Sequence, residues 1–462
     1  MTDPIIERLE ADHEASIQRL VDYVSLPSVS AQPTRYAEGI EASANWIADR
    51  CRELGMRVTR HETAGAPIVV AETPVPEGNP NAPRFMVYGH YDVQPPEPFD
   101  LWKTEPFKPT REGNSLIGRG ASDNKGQHLA HVEAVGAYLS EGVPLPCQVV
   151  FVIEGEEEVG SEALGTFLEE QAEALRCDAV IISDNGIPSL DYPTLTYGLR
   201  GVAAMEVRLD GPNRDLHSGI FGGSIENPAM ALCQLLGSLR DADGTILVEG
   251  FYDDVLPLTE FERSQMARWP ETDEALQSAL GAPALFGEPG FTSTERRGAR
   301  PTLEINGLTS GYQGEGSKTI VPAWASAKIT TRLVPNQDPE VILDRLEAAI
   351  RRRCPDSVRL TIERGHAGEP YLTSPEAPLS MAAIEALRNA FGKEPIAARE
   401  GGSIPIVNAF KKTLGADTLL LGLGLPDDNI HSPNEKFDLE AFRLGKRMSA
   451  LLWPALAAKM GS

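Results

Sequence analysis

The sequence predicts an α/β fold in which a mostly parallel central sheet is covered by helices and a smaller α+β domain is inserted. Three observations carry that reading. Short unbroken apolar runs at residues 85–88, 148–153, 179–183 and 418–421 have the length and composition of strands buried on both faces. Segments with helical apolar stripes lie between them. From about Gly201 the texture changes: Ala203, Met205, Val207 and Leu209 alternate with Glu206 and Arg208, the period of a sheet with one wet face.

The elements follow in order. Asp3-Pro4 offers a cap and a first-turn proline, and apolar positions at Leu9, Ile17, Leu20 and Val24 continue that helix to Pro27. A second helix carries Ile40, Ala44, Ile47, Cys51 and Leu54 on one stripe and stops at Gly55. Strands around residues 68–70 and 85–88 come next. The helix after Asp123 buries Leu129, Val132, Val135 and Leu139, which leaves His128 and His131 on a helix face. In the insertion, Asn227-Pro228 and Asp338-Pro339 each cap a helix, residues 325–333 and 358–362 read as strands, and residues 250–300 read as polar and irregular. The set resembles a β-α-β-β-α-β, ferredoxin-like order. The boundaries are residues 1–197 and 369–462 for the main domain and 198–368 for the insertion.

Composition narrows the function. With 462 residues and a formal net charge of −25, the chain lacks the basic surface that nucleic acid or an anionic membrane rewards. No apolar run is long enough to span a bilayer. Cys51, Cys147, Cys177, Cys233 and Cys354 are scattered singly, which suits reduced thiols. The opening residues have neither the basic flank nor the apolar core of a signal peptide, so a cytoplasmic setting is expected.

The chemistry gathers where the strands end. Residues 85–88 run into Gly89-His90-Tyr91-Asp92, and residues two apart in an extended chain point the same way. Residues 148–153 run into Glu154-Gly155-Glu156-Glu157-Glu158, residues 179–183 into Asp184-Asn185, and residues 418–421 lead on to His431, while Asp123 opens a helix. In parallel sheets ligands bind at the carboxyl ends of the strands. Two histidines with several carboxylates and no cysteine suit zinc, manganese or cobalt. So many acids at one edge stay ionised only if cations offset their repulsion, which favours two ions over one. Of the adjacent Glu157 and Glu158, one would bind metal and the other act as general base; the residues alone leave open which. Glu154 and Glu156 read as loop acids.

Several motifs occur in a fixed order: Gly89-His90-Tyr91-Asp92-Val93-Gln94-Pro95, Gly118-Arg119-Gly120 with Asp123, Glu157-Glu158-Val159-Gly160-Ser161, Ile182-Ser183-Asp184-Asn185, Asp215-Leu216-His217-Ser218-Gly219 and Glu400-Gly401-Gly402-Ser403-Ile404-Pro405. Over nearly the whole chain this resembles the co-catalytic metallopeptidase family of aminoacylase, carboxypeptidase G and succinyl-diaminopimelate desuccinylase, nearest to the carnosine and cytosolic nonspecific dipeptidases. The resemblance implies that His90 and Asp184 hold one metal, Glu158 and His431 the other, and Asp123 bridges them. It makes Glu157 the general base and Asp92 the partner that orients His90, and it implies a cis peptide at Asp123-Asn124. It also assigns substrate contacts to His217, reaching into a partner subunit, and to Thr319, Arg332 and Ser403. The inserted domain would then be a lid and a dimerisation surface of a homodimer.

The expected activity is dinuclear metal-dependent hydrolysis of dipeptides or short peptides with a free C-terminal carboxylate. The alternatives are an N-acyl amino-acid deacylase or desuccinylase using the same site, and a non-catalytic binding protein on this scaffold.

Overall fold

The apolar run at residues 85–88 forms the strand Arg84–His90, in which Phe85, Met86, Val87 and Tyr88 are all fully buried. The computed structural model describes residues 3–402 and 404–460, and the described residues divide into two units. The first takes the chain up to Tyr197, residues 373–397 and the chain from Ile406 onward; the second takes residues 198–372 and 398–405.

In the first unit the strand order is Arg57–His61, Ile68–Glu72, Gln148–Glu154, Arg84–His90, Ala179–Ile182, Asp417–Leu420 and then Thr194–Leu199. The four strands from Gln148–Glu154 to Asp417–Leu420 are parallel, and the pairings outside them are antiparallel. Register does the positioning: His90 lies opposite Glu154, Tyr88 opposite Ile182, and Leu420 opposite Ile182. Parallel neighbours in that register end together, so the loops that follow them emerge at one edge.

The helix Gln127–Glu141 is buried around nearly its whole circumference from Gln127 to Tyr138. It therefore has no wet face for His128 and His131, which are 1% and 0% exposed. The reason lies in what packs on it: His131 bonds Ser449 Oγ of the closing helix Leu439–Met460 through Nδ1 (2.9 Å) and Ser183 Oγ through Nε2 (2.8 Å). A helix held between sheet and helix reads as apolar all round. The expected first helix is two, Pro4–Ala11 and His13–Val24, separated at Asp12.

The second unit holds an antiparallel sheet in the order Thr302–Ser310, Trp324–Leu333, Gly201–Asp210, Arg359–Gly368. The helices Pro228–Gly237 and Pro339–Arg353 supply Leu232, Leu235, Leu343 and Leu346 to its core, and Asn227 and Asp338 cap them as their sequences suggest. Residues 250–300 are not irregular: they form the short helices Glu260–Met266, Asp273–Leu280 and Ser293–Ala299. Thr259 with Glu262, and Thr292 with Glu295, make reciprocal capping boxes. That Thr-x-x-Glu signal stands in the sequence, but with too few apolar residues after it to mark a helix.

Gly89 is where the main strand touches the buried helix. A Cβ there would lie 2.6 Å from His128 Cβ and 3.1 Å from Asn124 Oδ1. Gly89→Ala should destabilise the fold by about 1–3 kcal/mol through overpacking. Denaturant unfolding of the metal-free protein measures it, and an unchanged midpoint would show that the helix yields.

Candidate metal centre

Each candidate ligand is placed by the end of a strand or the start of a helix. His90 is the last residue of Arg84–His90, Asp184 follows Ala179–Ile182 by two residues, and Glu157 and Glu158 form a turn after Gln148–Glu154. Asp123 lies in the turn that opens the buried helix, and its peptide bond to Asn124 is cis. His431 adopts a left-handed backbone, φ 61°, in the loop after Asp417–Leu420.

These residues form two groups that share one member. The donor atoms of His90, Asp123 and Asp184 lie within 4.8 Å of one another, and so do those of Asp123, Glu158 and His431. Asp123 Oδ1 faces His90 Nε2 at 3.2 Å, and its Oδ2 faces His431 Nε2 at 2.9 Å. Asp184 Oδ2 is 3.6 Å from His90 Nε2, and Glu158 Oε2 is 3.3 Å from His431 Nε2. The donors are imidazole nitrogens and carboxylate oxygens without a thiolate, a set that fits two hard or borderline divalent cations. Glu158 Oε1 is buried with no hydrogen-bond partner, the state of a ligand atom awaiting a cation.

The electrostatics report the same need for positive charge. Burial works against a charged His90, yet Asp184, Asp123 and Asp92 outweigh it and raise its pKa well above the ordinary value. Hydrogen bonds to Asp123 and Glu158 push His431 up to about 10. Burial, reinforced by Asp184, Glu158 and Asp123, pushes Glu157 up to about 8 against the pull of His90. Glu157 belongs to neither donor group.

Asp92 does more than orient one ring. It is fully buried, and its carboxylate accepts from Ser30 Oγ (2.6 Å) and lies 3.2 Å from His90 Nδ1. It also accepts the backbone N–H of Glu157 (3.2 Å) and of Glu158 (3.1 Å). With Nδ1 of His90 engaged on this side, Nε2 is the ring nitrogen that faces Asp123 and Asp184.

Sequence reasoning missed Glu435. Fully buried, it accepts the backbone N–H of Gly120 (2.9 Å), Ser122 (3.0 Å) and Asp123 (3.0 Å) and pairs with Arg119 Nη1 at 2.7 Å. It fixes the turn that presents Asp123. Its only signal was proximity to His431. Glu154 is no loop acid: it ends its strand, buried, and accepts from Tyr88 Oη (2.7 Å) and Ser161 Oγ (2.6 Å). Among the described residues His128 and His131 join neither donor group.

Three of the four expected substrate contacts, His217, Thr319 and Arg332, lie in the second unit. His217 and Thr319 come together, since His217 pairs with Ile320 and Ser218 N–H donates to Thr319 O at 3.0 Å. Arg332 stands on the strand Trp324–Leu333, opposite Val202 and Thr302. Ser403 lies outside the described residues.

Comparison with known proteins follows the same lines. Residues 86–454 match the family described as Peptidase family M20/M25/M40. The chain is 33% identical to the Cys-Gly metallodipeptidase dug1 of Schizosaccharomyces pombe, covering 96% of each. It is 31% identical to the human Beta-Ala-His dipeptidase, covering 99% of this chain and 93% of that protein. A solved M20 family metallo-carboxypeptidase, Sso-CP2 from Sulfolobus solfataricus, superposes with a TM-score of 0.81 at 32% identity, over 96% of this chain and 99% of its own.

Because Asp123 belongs to both groups, Asp123→Ala should weaken both metal sites, whereas Asp184→Ala should leave one. Metal counted per chain after equilibrium dialysis distinguishes them; equal losses would contradict the shared role. Asp92→Asn should lower metal affinity by about 10–100-fold while the fold persists.

Proposed function

From the premise that the chain belongs to peptidase family M20/M25/M40, we propose that it hydrolyses dipeptides and short peptides bearing a free C-terminal carboxylate. The observation that carries this is the pair of three-residue donor groups sharing Asp123, with Glu157 beside them and outside both. His90 and Asp184 would hold one divalent ion, Glu158 and His431 the other, with Asp123 common to both. Zinc suits the donors best, and manganese or cobalt are the alternatives. When bound, two ions supply Lewis acidity, polarising the scissile carbonyl and making water acidic enough to attack at neutral pH.

The chain's own residues do the rest. The Glu157 carboxylate takes a proton from the attacking water and hands it to the leaving amine nitrogen. Asp92 holds the Glu157-Glu158 turn by both backbone N–H groups, so the base keeps its place while it changes charge. Arg332 offers a planar fork to the substrate's terminal carboxylate.

His217 serves as an oxyanion donor in a homodimer. Its Nδ1 accepts the Gly219 N–H at 3.0 Å, so the neutral ring carries its proton on Nε2. Ile220, Phe221 and Ile225 follow it, exposed at 69%, 38% and 41%, as an apolar surface suited to a second copy. The five cysteines are free, which fits a reducing, cytoplasmic setting. Among the described residues no helix is long and apolar enough to cross a membrane.

The likeness to a metallo-carboxypeptidase favours one neighbouring reading, removal of C-terminal residues from longer peptides. The test uses metal-stripped protein with zinc, manganese or cobalt titrated back against dipeptides, tripeptides, C-terminally blocked dipeptides and N-acetyl or N-succinyl amino acids. Activity should rise as occupancy approaches two and vanish on blocked substrates; preference for the acylated amino acids by orders of magnitude would replace the dipeptidase reading with a deacylase. Glu157→Gln should keep both metals and lose about 10²–10⁴-fold in kcat. His217→Ala should remain dimeric by sedimentation with much reduced turnover, and mixing it with Glu157→Gln should restore part of the activity. Failure of mixing would place His217 outside any shared site.

A further inference from the structure

The helix Gln127–Glu141 buries two imidazoles that stand outside both donor groups, His128 and His131. A buried polar ring is costly unless its nitrogens are bonded, and an apolar side chain would fill the same space without that cost. His128 carries the cost openly: its Nε2 is buried and has no hydrogen-bond partner among the described residues. Burial lowers the pKa of both rings, His128 well below the ordinary value with His90 adding to the effect, and His131 to about 4. Each ring is therefore neutral and carries one proton.

The neighbouring groups decide where each proton sits. Asn124 places Nδ2 2.5 Å from Ser183 O and 2.7 Å from Asp184 Oδ1, and a carbonyl can only accept, so the amide nitrogen belongs on that side. Asn124 Oδ1 then faces the helix, where His128 Nδ1 lies at 3.1 Å and must be the donor. Ser183 Oγ lies 2.5 Å from Leu421 O and spends its proton there. His131 Nε2 consequently donates to Ser183 Oγ at 2.8 Å, and its Nδ1 accepts from Ser449 Oγ at 2.9 Å. The two rings hold opposite tautomers.

Both bonds lead to one ligand. Asn124, fixed by His128, occupies Asp184 Oδ1 and leaves Oδ2 turned toward His90 Nε2 at 3.6 Å. His131 holds Ser183, where the chain leaves the strand Ala179–Ile182 just before Asp184. Residues three apart share a helix face, so a single turn of helix delivers both donors. Gly89 lets that turn come close, since a Cβ there would lie 2.6 Å from His128 Cβ.

We infer that His128 and His131 are positioning residues for Asp184: as neutral donors of opposite tautomer they fix the strand end from one helix and keep Oδ2 aimed into the donor group shared with His90 and Asp123, without touching metal or substrate. The inference rests on the reading of Asp184 as a ligand and adds to it the groups that aim it.

The test measures zinc affinity at each site by chelator competition, in protein stripped of metal and reloaded. Asp184→Ala marks the site it serves by removing it. His128→Leu and His131→Leu should each weaken that same site by about tenfold or more and leave the other unchanged. In the Asp184→Ala background, His128→Leu should change the remaining site by less than about twofold, because the group it positions is gone. His128→Asn carries an N–H near the place of Nδ1, and His131→Gln near that of Nε2, so both should retain most of the affinity. The exchanged pair, His128→Gln and His131→Asn, should not. This comparison decides the matter even where a leucine variant does not fold, with unfolding midpoints of the metal-free proteins measured alongside. Unchanged affinity in folded leucine variants, equal affinity in matched and exchanged amides, or weakening of both sites together overturns the positioning role. Two intact sites in Asp184→Ala overturn the ligand assignment itself, and the inference with it.

Discussion

The first unit depends on one carboxylate being in two places at once. Asp123 presents Oδ1 to His90 and Oδ2 to His431, residues that lie 33 and 308 positions away in sequence. Nothing local could fix such a group. Its backbone N–H is held by Glu435, which also holds those of Gly120 and Ser122 and is itself paired with Arg119 inside the protein. A buried carboxylate without those donors would be costly; with four of them it becomes a rigid mount. Gly120 takes the positive φ, 85°, that the turn requires.

Asp92 is a second buried mount. Asp92 ties the His90 ring to the turn carrying Glu157 and Glu158, so the end of one strand sets the loop after its neighbour. Asn124 joins the third strand in, giving Nδ2 to Asp184 Oδ1 at 2.7 Å and to Ser183 O at 2.5 Å. The candidate ligands are thus coupled through buried side chains that touch no substrate, and small shifts in any one would move several donors together. That coupling suits chemistry in which the distance between two cations matters.

The two units divide the charge between them. The first concentrates acids that need cations, and burial together with mutual repulsion raises Asp184 and Glu157 above ordinary carboxylate values. The second concentrates arginines in a chain that is otherwise strongly acidic.

Much of this was legible in the residues. Unbroken apolar runs ending in His, Asp or Glu marked the strands and the edge where they finish, because a parallel sheet buried on both faces must be apolar throughout and must place its loops together. His90, Asp123, Asp184, His431 and the Glu157-Glu158 pair stood out as candidates for that reason, with the roles within the pair left to the family resemblance, and the alternating stretch from Gly201 announced a different kind of sheet. Short helices lay hidden at residues 250–300, since their capping boxes precede too little apolar periodicity to count. The burial of His131 depended on the closing helix, whose Ser449 lies more than 300 residues away, and that of His128 on Gly89 and Tyr23. Glu435 belongs to the same class: the backbone N–H groups it holds come from a segment more than 300 residues away. Sequence alone determined which residue types stand at the ends of which strands, because that follows from local pattern and period. Only tertiary structure decided which buried charges hold those residues and which arginines share a cavity, because hydrogen bonds and like-charge proximity act through space and leave no period along the chain.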